Sequence, residues 1–266
     1  MLVVISIIGI LAAIAMPVVA NFRKADSMLA ATRQMQDDVE RARMLAISQR
    51  TTVYMIFCPL ISATDPMLTS LPQTERDKAK KLYDKQLAAY TFVTLRTVGN
   101  QPGQVSPRYL SEWRTLPQGA IIPLFKFQQR IQARLTRIPD PPWPATPNRW
   151  FNVVGFDLTT DIPFPSADAT PYFAITGGKK TYVALPYIAF NHLGQLTPQP
   201  PSWADNCEYI PLAKGNVNPA LDVNKIPLQA IPDPVEQPPG NSTNAFTLVR
   251  IDWLTGRARL EKQEFQ

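Results

Sequence analysis

The sequence predicts an α+β protein: one long N-terminal α-helix, its first half membrane-embedded, packed on a C-terminal antiparallel β-rich globular domain with proline-rich loops. Three observations predict it. No charged side chain occurs from Met1 to Phe22. No proline or glycine interrupts the chain between Pro17 and Thr51. Beyond residue 50, β-branched and aromatic runs alternate with turn residues and prolines. A length of 266 residues leaves room for one or two domains with a sizeable core. Proline makes up 27 of the 266 residues, about twice the usual share of roughly 5%. With only 11 glycines, the excess points to stiff connections rather than flexible linkers.

The helix comes first. Leu, Ile, Val and Ala dominate up to Phe22, and the first charges are Arg23 and Lys24. About 20 residues at 1.5 Å each cover a bilayer core of roughly 30 Å. Pro17 falls where a proline kinks a membrane helix. Ala13-Ile14-Ala15 resembles a signal-peptide cleavage site, but no Lys or Arg precedes the apolar core as a secretory leader requires. Met28, Thr32, Met35, Val39, Ala42 and Ala46 then recur at spacings of four and three, which mark one narrow helix face. Arg33, Gln34, Asp37, Asp38, Glu40, Arg41 and Arg43 fill the rest with solvent types. Residues 1 to about 50 therefore read as one helix of roughly 75 Å. Three segments follow: 1–22 for the membrane or a helical assembly, 23–50 as the amphipathic half, and 51–266 as a β-rich head.

In the head, 51–58 (TTVYMIFC) and 90–98 (YTFVTLRTV) read as strands. An insertion near 62–88 lies between them. Ser70 to Gln73 has capping-box spacing there, and 74–90 has the pattern of a helix with Leu82, Tyr83, Leu87 and Tyr90 on one side. Residues 124–138 suggest another amphipathic helix, Phe127, Ile131, Leu135 and Ile138 inward, with Lys126, Arg130, Arg134 and Arg137 as a basic ridge. The run 139–147 (PDPPWPATP) is a rigid loop, and 182–196 is a strand and turn. A second insertion near 197–243 reads as a surface excursion rather than a folded domain. Residues 245–263 form a hairpin, with Thr247 to Trp253 alternating, Thr255-Gly256 turning and Arg257 to Glu261 returning.

The stretch MLVVISIIGILAAIAMP is similar to the N-terminal helix of type IV pilins and type II secretion pseudopilins, and Leu2 through Pro17 match it without a gap. The resemblance implies that Leu2, Val3, Val4, Ile5, Ile7, Ile8, Gly9, Ile10, Leu11, Ile14 and Pro17 belong to a membrane and assembly helix. It also implies a glutamate, a methylated aromatic residue and a glycine just ahead of Met1, so the prepilin-type cleavage motif is expected upstream. Later motifs resemble the H-type minor pseudopilins (GspH/FimT-like). These are the small and Arg-rich segment ending at Arg50, Leu116-Pro117-Gln118-Gly119, Phe190 to Gly194, and Ile251 to Arg259 with its Thr255-Gly256-Arg257 turn. The family implies a non-enzymatic filament subunit of a type II secretion or related pilus-like system. It would be a single-pass protein of the bacterial inner membrane, with its C-terminal domain periplasmic. Its expected partners are other pilins or pseudopilins of the same filament, inner-membrane lipid, an inner-membrane assembly platform and secreted cargo.

No catalytic constellation is legible, and neither cofactor nor metal is expected. His192 is the sole histidine and sits in turn context. Gly177-Gly178-Lys179-Lys180 lacks the leading glycine and the Ser/Thr of a P-loop. Cys58 and Cys207 are too few for a Cys-only zinc site; they could pair as a disulfide outside the cytoplasm, which spacing alone does not decide. The net charge of +6 permits a polyanion partner without demanding one. Arg257 and Arg259 share a strand face by period two, where two guanidiniums can bridge phosphates. In DNA-uptake minor pilins of the same superfamily a Gly-Arg-any-Arg hairpin grips DNA, so DNA is the partner under the alternative reading of Gly256 to Arg259. The other reading is a turn with solvated arginines, and Glu261 and Glu264 dilute the local field.

Overall fold

The computed structural model describes residues 27–62, 65–69, 71–101, 104–128, 132–136, 150–169, 172–173, 180–181, 183–200, 206–218, 223 and 232–261. Helix α1 spans 27–49, about 35 Å at 1.5 Å per residue. Its last turn closes with Arg50 N–H donating to the Ile47 carbonyl (3.3 Å) and Thr51 N–H to the Ala46 carbonyl (3.2 Å). That closure places Arg50 in the left-handed region at φ 48°, a position glycine usually fills. Ala31, Met35, Val39, Ala42 and Ala46 are completely buried, Thr32 is buried beside them, and Met28 packs against the same core. Leu29, Ala30, Arg33, Asp37, Arg41, Met44 and Ser48 form the exposed side.

This corrects the expected long, half membrane-embedded helix. Among the described residues no helix is long and apolar enough to cross a membrane. The physical reason lies in α1 itself, whose faces outside the stripe carry Arg33, Gln34, Gln36, Asp37, Asp38, Glu40, Arg41 and Arg43, as suits a helix lying on a protein surface. Leu2, Val3, Val4, Ile5, Ile7, Ile8, Gly9, Ile10, Leu11, Ile14 and Pro17 lie outside the described residues.

After α1 the chain runs through β1 (Val53–Phe57), the short helices α2 (Pro66–Thr69) and α3 (Gln73–Lys80), and β2 (Ala89–Thr94). Then come β3 (Arg108–Tyr109), β4 (Arg114–Thr115), β5 (Ala120–Ile121) and a 3-10 turn at Leu124–Phe127. The middle section comprises β6 (Gln132–Thr136), β7 (Trp150–Val154), β8 (Asp157–Ile162), β9 (Tyr172–Phe173), β10 (Lys180–Thr181) and β11 (Val183–Phe190). The last elements among the described residues are β12 (Cys207–Asn218), β13 (Asp233–Glu236), α4 (Asn241–Asn244), β14 (Thr247–Asp252) and β15 (Ala258–Glu261). A first sheet has the order β3-β2-β1-β11-β8, with β4 also on β2; a second has the order β13-β12-β14-β15, with β5 also on β12. Both are antiparallel, as are the separate pairs β6–β7 and β9–β10.

The stripe of α1 meets both sheets. Period-two alternation turns Val53, Met55, Phe57, Tyr90, Phe92, Ile188 and Phe190 of the first sheet toward it, together with Ile210, Leu212, Val249 and Ile251 of the second. The opposite face of the first sheet is buried too. Ile56, Val93 and Leu185 pack there against Leu68, Leu71, Ala79, Leu82 and Tyr83 of the 62–88 insertion and against Phe164. That insertion is therefore a second layer of core. Its helix stops at Lys80, earlier than the sequence pattern suggests: Leu82 N–H donates to the Ala79 carbonyl (2.9 Å) and Tyr83 N–H to the Lys80 carbonyl (3.1 Å) in successive tight turns, and Leu87 turns the chain at φ 58°. The Gln86 carboxamide oxygen accepts from Ile61 N–H (2.8 Å) and Leu87 N–H donates to the Cys58 carbonyl (3.0 Å).

Two further expectations are overturned. Residues 124–138 do not form an amphipathic helix: the 3-10 turn follows Pro123, and β6 pairs along its length with β7. Backbone pairing with Trp150–Val154 overrides the local helical period. Lys126 is no solvated ridge residue either. It is completely buried, donates to the Val154 carbonyl, forms an ion pair with Glu208 and lies 4.6 Å over the Phe156 ring. The 197–243 segment is not only a surface excursion, since it supplies β12, the spine of the second sheet. Pro211 is tolerated within β12 because β14 pairs on one side there while β5 joins only from Ala213. Residues 139–147 lie outside the described residues.

Candidate functional site

Two polar rails flank the apolar stripe of α1. At 100° per residue, Gln34 and Asp38 lie on one side, and Gln36, Glu40 and Arg43 on the other. Toward the first sheet, the Gln34 amide donates to Tyr90 Oη and to the Thr115 carbonyl, both at 2.9 Å. Asp38 is buried and accepts from Tyr90 Oη (2.6 Å) and Arg114 Nε (2.8 Å). Burial, and after it the Asp38 carboxylate, push the Tyr90 phenol above its ordinary pKa. Toward the hairpin, Gln36 Nε2 donates to the Ala258 carbonyl (3.3 Å), and Glu40 Oε1 accepts from Ala258 N–H (3.1 Å). Arg43 Nε donates to the Thr255 carbonyl (2.7 Å) and its guanidinium lies 3.6 Å from Glu40. Residues that read as solvent-facing thus fasten the helix on both flanks.

The second rail ends where three quoted motifs meet. Gly194 closes the Asn191–Gln195 turn at φ 80°, and Gly256 closes the terminal hairpin at φ 64°. A Cβ on Gly256 would stand 1.9 Å from the Gly194 carbonyl oxygen and 3.1 Å from Arg43 Cδ. A Cβ on Gly194 would stand 2.8 Å from Ile47 Cδ1 and 3.0 Å from Arg43 Nε. Leu196 N–H also donates to the Trp253 carbonyl (3.0 Å), which ties the two turns together. Gly256 is thus demanded twice over, by backbone conformation and by closeness to backbone, whereas Gly194 is demanded by its φ, the atoms nearest its Cβ position being movable side-chain atoms of Ile47 and Arg43.

The hairpin's outward face carries the candidate binding residues. Val249 and Ile251 point to α1, so Arg250 and Asp252 point away from it. Arg259 is the direct cross-strand partner of Arg250, and the Asp252 N–H donates to the Arg257 carbonyl (3.1 Å). Arg250, Asp252, Thr255, Arg257 and Arg259 line one cleft of about 150 Å³. Arg257 and Arg259 are exposed and make no ion pair among the described residues. Arg250 is committed on two sides, with Nε donating to Cys207 Sγ and Nη1 to Glu261 Oε1, both at 3.1 Å. Asp252 accepts from Thr255 N–H (2.7 Å) and Thr255 Oγ1 (2.8 Å), and the backbone bond foremost holds its carboxyl below the ordinary range. Sequence reading found Arg257 and Arg259 but missed Arg250, whose alternation with Val249 and Ile251 was the available signal.

The remaining expected sites separate. Cys58 and Cys207 are free thiols buried in different clusters, Cys58 behind the first sheet and Cys207 on the outer face of the second, so the suggested disulfide is not formed. Burial pushes the Cys58 thiol well up. His192 is an exposed turn residue. Lys180 lies in β10, while residues 174–179 are outside the described residues. Among the described residues no cluster of three or more His, Cys, Asp or Glu is placed to hold a metal.

No protein-family model, curated protein or solved structure matches the chain. The expected single-pass inner-membrane placement is corrected as well, because no described helix is long and apolar enough to span.

The glycine contact makes a graded prediction. Gly256→Ala should lower unfolding stability by at least about 2 kcal/mol, combining left-handed strain with steric overlap. Gly99→Ala, at φ 100° with no atom near the added methyl, should cost about 1 kcal/mol from conformation alone. Urea unfolding of both variants measures the difference.

Proposed function

We propose that this chain is a structural subunit of a pilin-like filament, of the minor pseudopilin type, which works by assembly and display rather than turnover. The observation that carries the reading is the meeting of Arg43, Gly194 and Gly256. Three separate pieces of the resemblance, far apart in sequence, fall at one contact where each glycine has a conformational reason to be there. The exposed side of α1 supports it further. With the stripe and both rails turned inward, Arg33, Asp37, Arg41 and Met44 leave one continuous face along the helix for neighbouring subunits. Its partners on this reading are other pilins or pseudopilins of the same filament, and cargo meets the β-rich head.

Cysteines placed on that face test it. With Arg33→Cys and Met44→Cys introduced singly into the full chain in its native cells, oxidative cross-linking should yield ladders containing this chain and like subunits. A chain that stays monomeric under cross-linking at both positions contradicts the reading.

A second reading, DNA binding by the terminal hairpin, is favoured by one observation: Arg257 and Arg259 are exposed on the same face. On that reading Arg257→Ala combined with Arg259→Ala weakens duplex binding and makes its salt dependence shallower by about two charges. Unchanged affinity and slope remove it.

A further inference from the structure

We propose that the outer face of the β14–β15 hairpin holds a single oxyanion, the carboxylate or phosphate group of a ligand, on the arginines of the cleft lined by Arg250, Asp252, Thr255, Arg257 and Arg259. The inference is independent of the filament reading. It shares residues with the DNA reading but differs from it in predicting a discrete, saturable site.

Geometry and charge balance both point this way. The cleft of about 150 Å³ has room for several water-sized groups, enough for one tetrahedral or planar oxyanion with some hydration. Cross-strand register puts Arg259 directly opposite Arg250, so two guanidiniums face one volume from adjacent strands, and Arg257 joins from the residue just before β15. Guanidinium forks suit carboxylate and phosphate because two parallel N–H donors match two oxygens. The cleft is also prepared before any ligand arrives. Arg250 is held by Cys207 and Glu261, which leaves its Nη2 without a hydrogen bond among the described residues. Asp252 also lines the cleft, but one of its carboxylate oxygens is already engaged by the turn, accepting from Thr255 N–H and Thr255 Oγ1.

The same surroundings argue against an extended polyanion track. Among the described residues of this face, three arginines stand against Asp252 and Glu261, a local excess of one positive charge. One oxyanion neutralises that excess, and a second phosphate along a duplex meets a carboxylate instead. Glu261 already shows the chemistry of the site, since its carboxylate reaches Arg250 Nη1 from the rim. It acts as an internal competitor for that guanidinium.

The test is a titration of the full chain with inorganic phosphate at constant ionic strength, followed by NMR at the arginine Nε–Hε groups, with acetate and a short duplex as parallel arms. The expected result is saturable shifts at Arg257 and Arg259, about tenfold weaker binding in Arg259→Gln, and tighter binding in Glu261→Gln. Phosphate saturating while acetate does not assigns the site to phosphate groups, and the converse assigns it to carboxylates. Saturation by phosphate with no tighter duplex binding supports the discrete site and sinks the DNA reading. Shifts reproduced by chloride, or unaltered by Arg259→Gln, overturn the proposal. So does duplex binding without saturation by either small anion, which leaves the DNA reading standing.

Discussion

A single helix has to satisfy two sheets at once, and the rest of the structure depends on that constraint. The stripe from Ala31 to Ala46 removes apolar surface from water, but burial is non-directional. It fixes neither the rotation of α1 nor its position along its own axis. The polar rails supply both. Each hydrogen bond is worth only about 1 kcal/mol net, yet a misplaced rail leaves the buried Asp38 carboxylate without Tyr90 and Arg114, which costs considerably more. The stripe supplies attraction; the rails make one orientation the cheapest.

The rail of Gln36, Glu40 and Arg43 has a second consequence. β15 is an edge strand, and its Ala258 N–H and C=O point away from β14 toward α1. Gln36 and Glu40 answer those groups as a neighbouring strand would, which blunts an edge open to unwanted pairing. Arg43 then reaches past the edge to the turn, where Gly256 lies against Gly194. Because the turn is held from below, the outward arginines of the hairpin project from a fixed frame, and a cleft between them keeps its shape.

Legibility in the sequence followed the strength of the local pattern. The stripe of α1 and the alternation in Val53–Phe57 and Thr247–Asp252 are periodic, so their faces could be read directly. The rails could not, because Gln, Glu and Arg beside a stripe look the same whether they meet water or a backbone carbonyl. Leu124 to Ile138 has a helical spacing of apolar residues, but the partner that made part of it a strand lies beyond a proline-rich loop. β12 was hidden by the prolines around it and by Pro211 within it. The arginine face was half visible: Arg257 and Arg259 stand out in sequence, whereas Arg250 joins them only through cross-strand register. Lys126 and Glu208, buried together from 82 residues apart, left no local signal.

Through its second rail, α1 holds the terminal hairpin in place. The most direct measurement is native-state hydrogen exchange in Glu40→Ala, read at the amide of Ala258 and along Thr247–Asp252 and Ala258–Glu261. Faster exchange is expected at Ala258 and through the hairpin, with the amides of Val53–Phe57 and Ala89–Thr94 keeping their protection. Unchanged protection at Ala258 would contradict it.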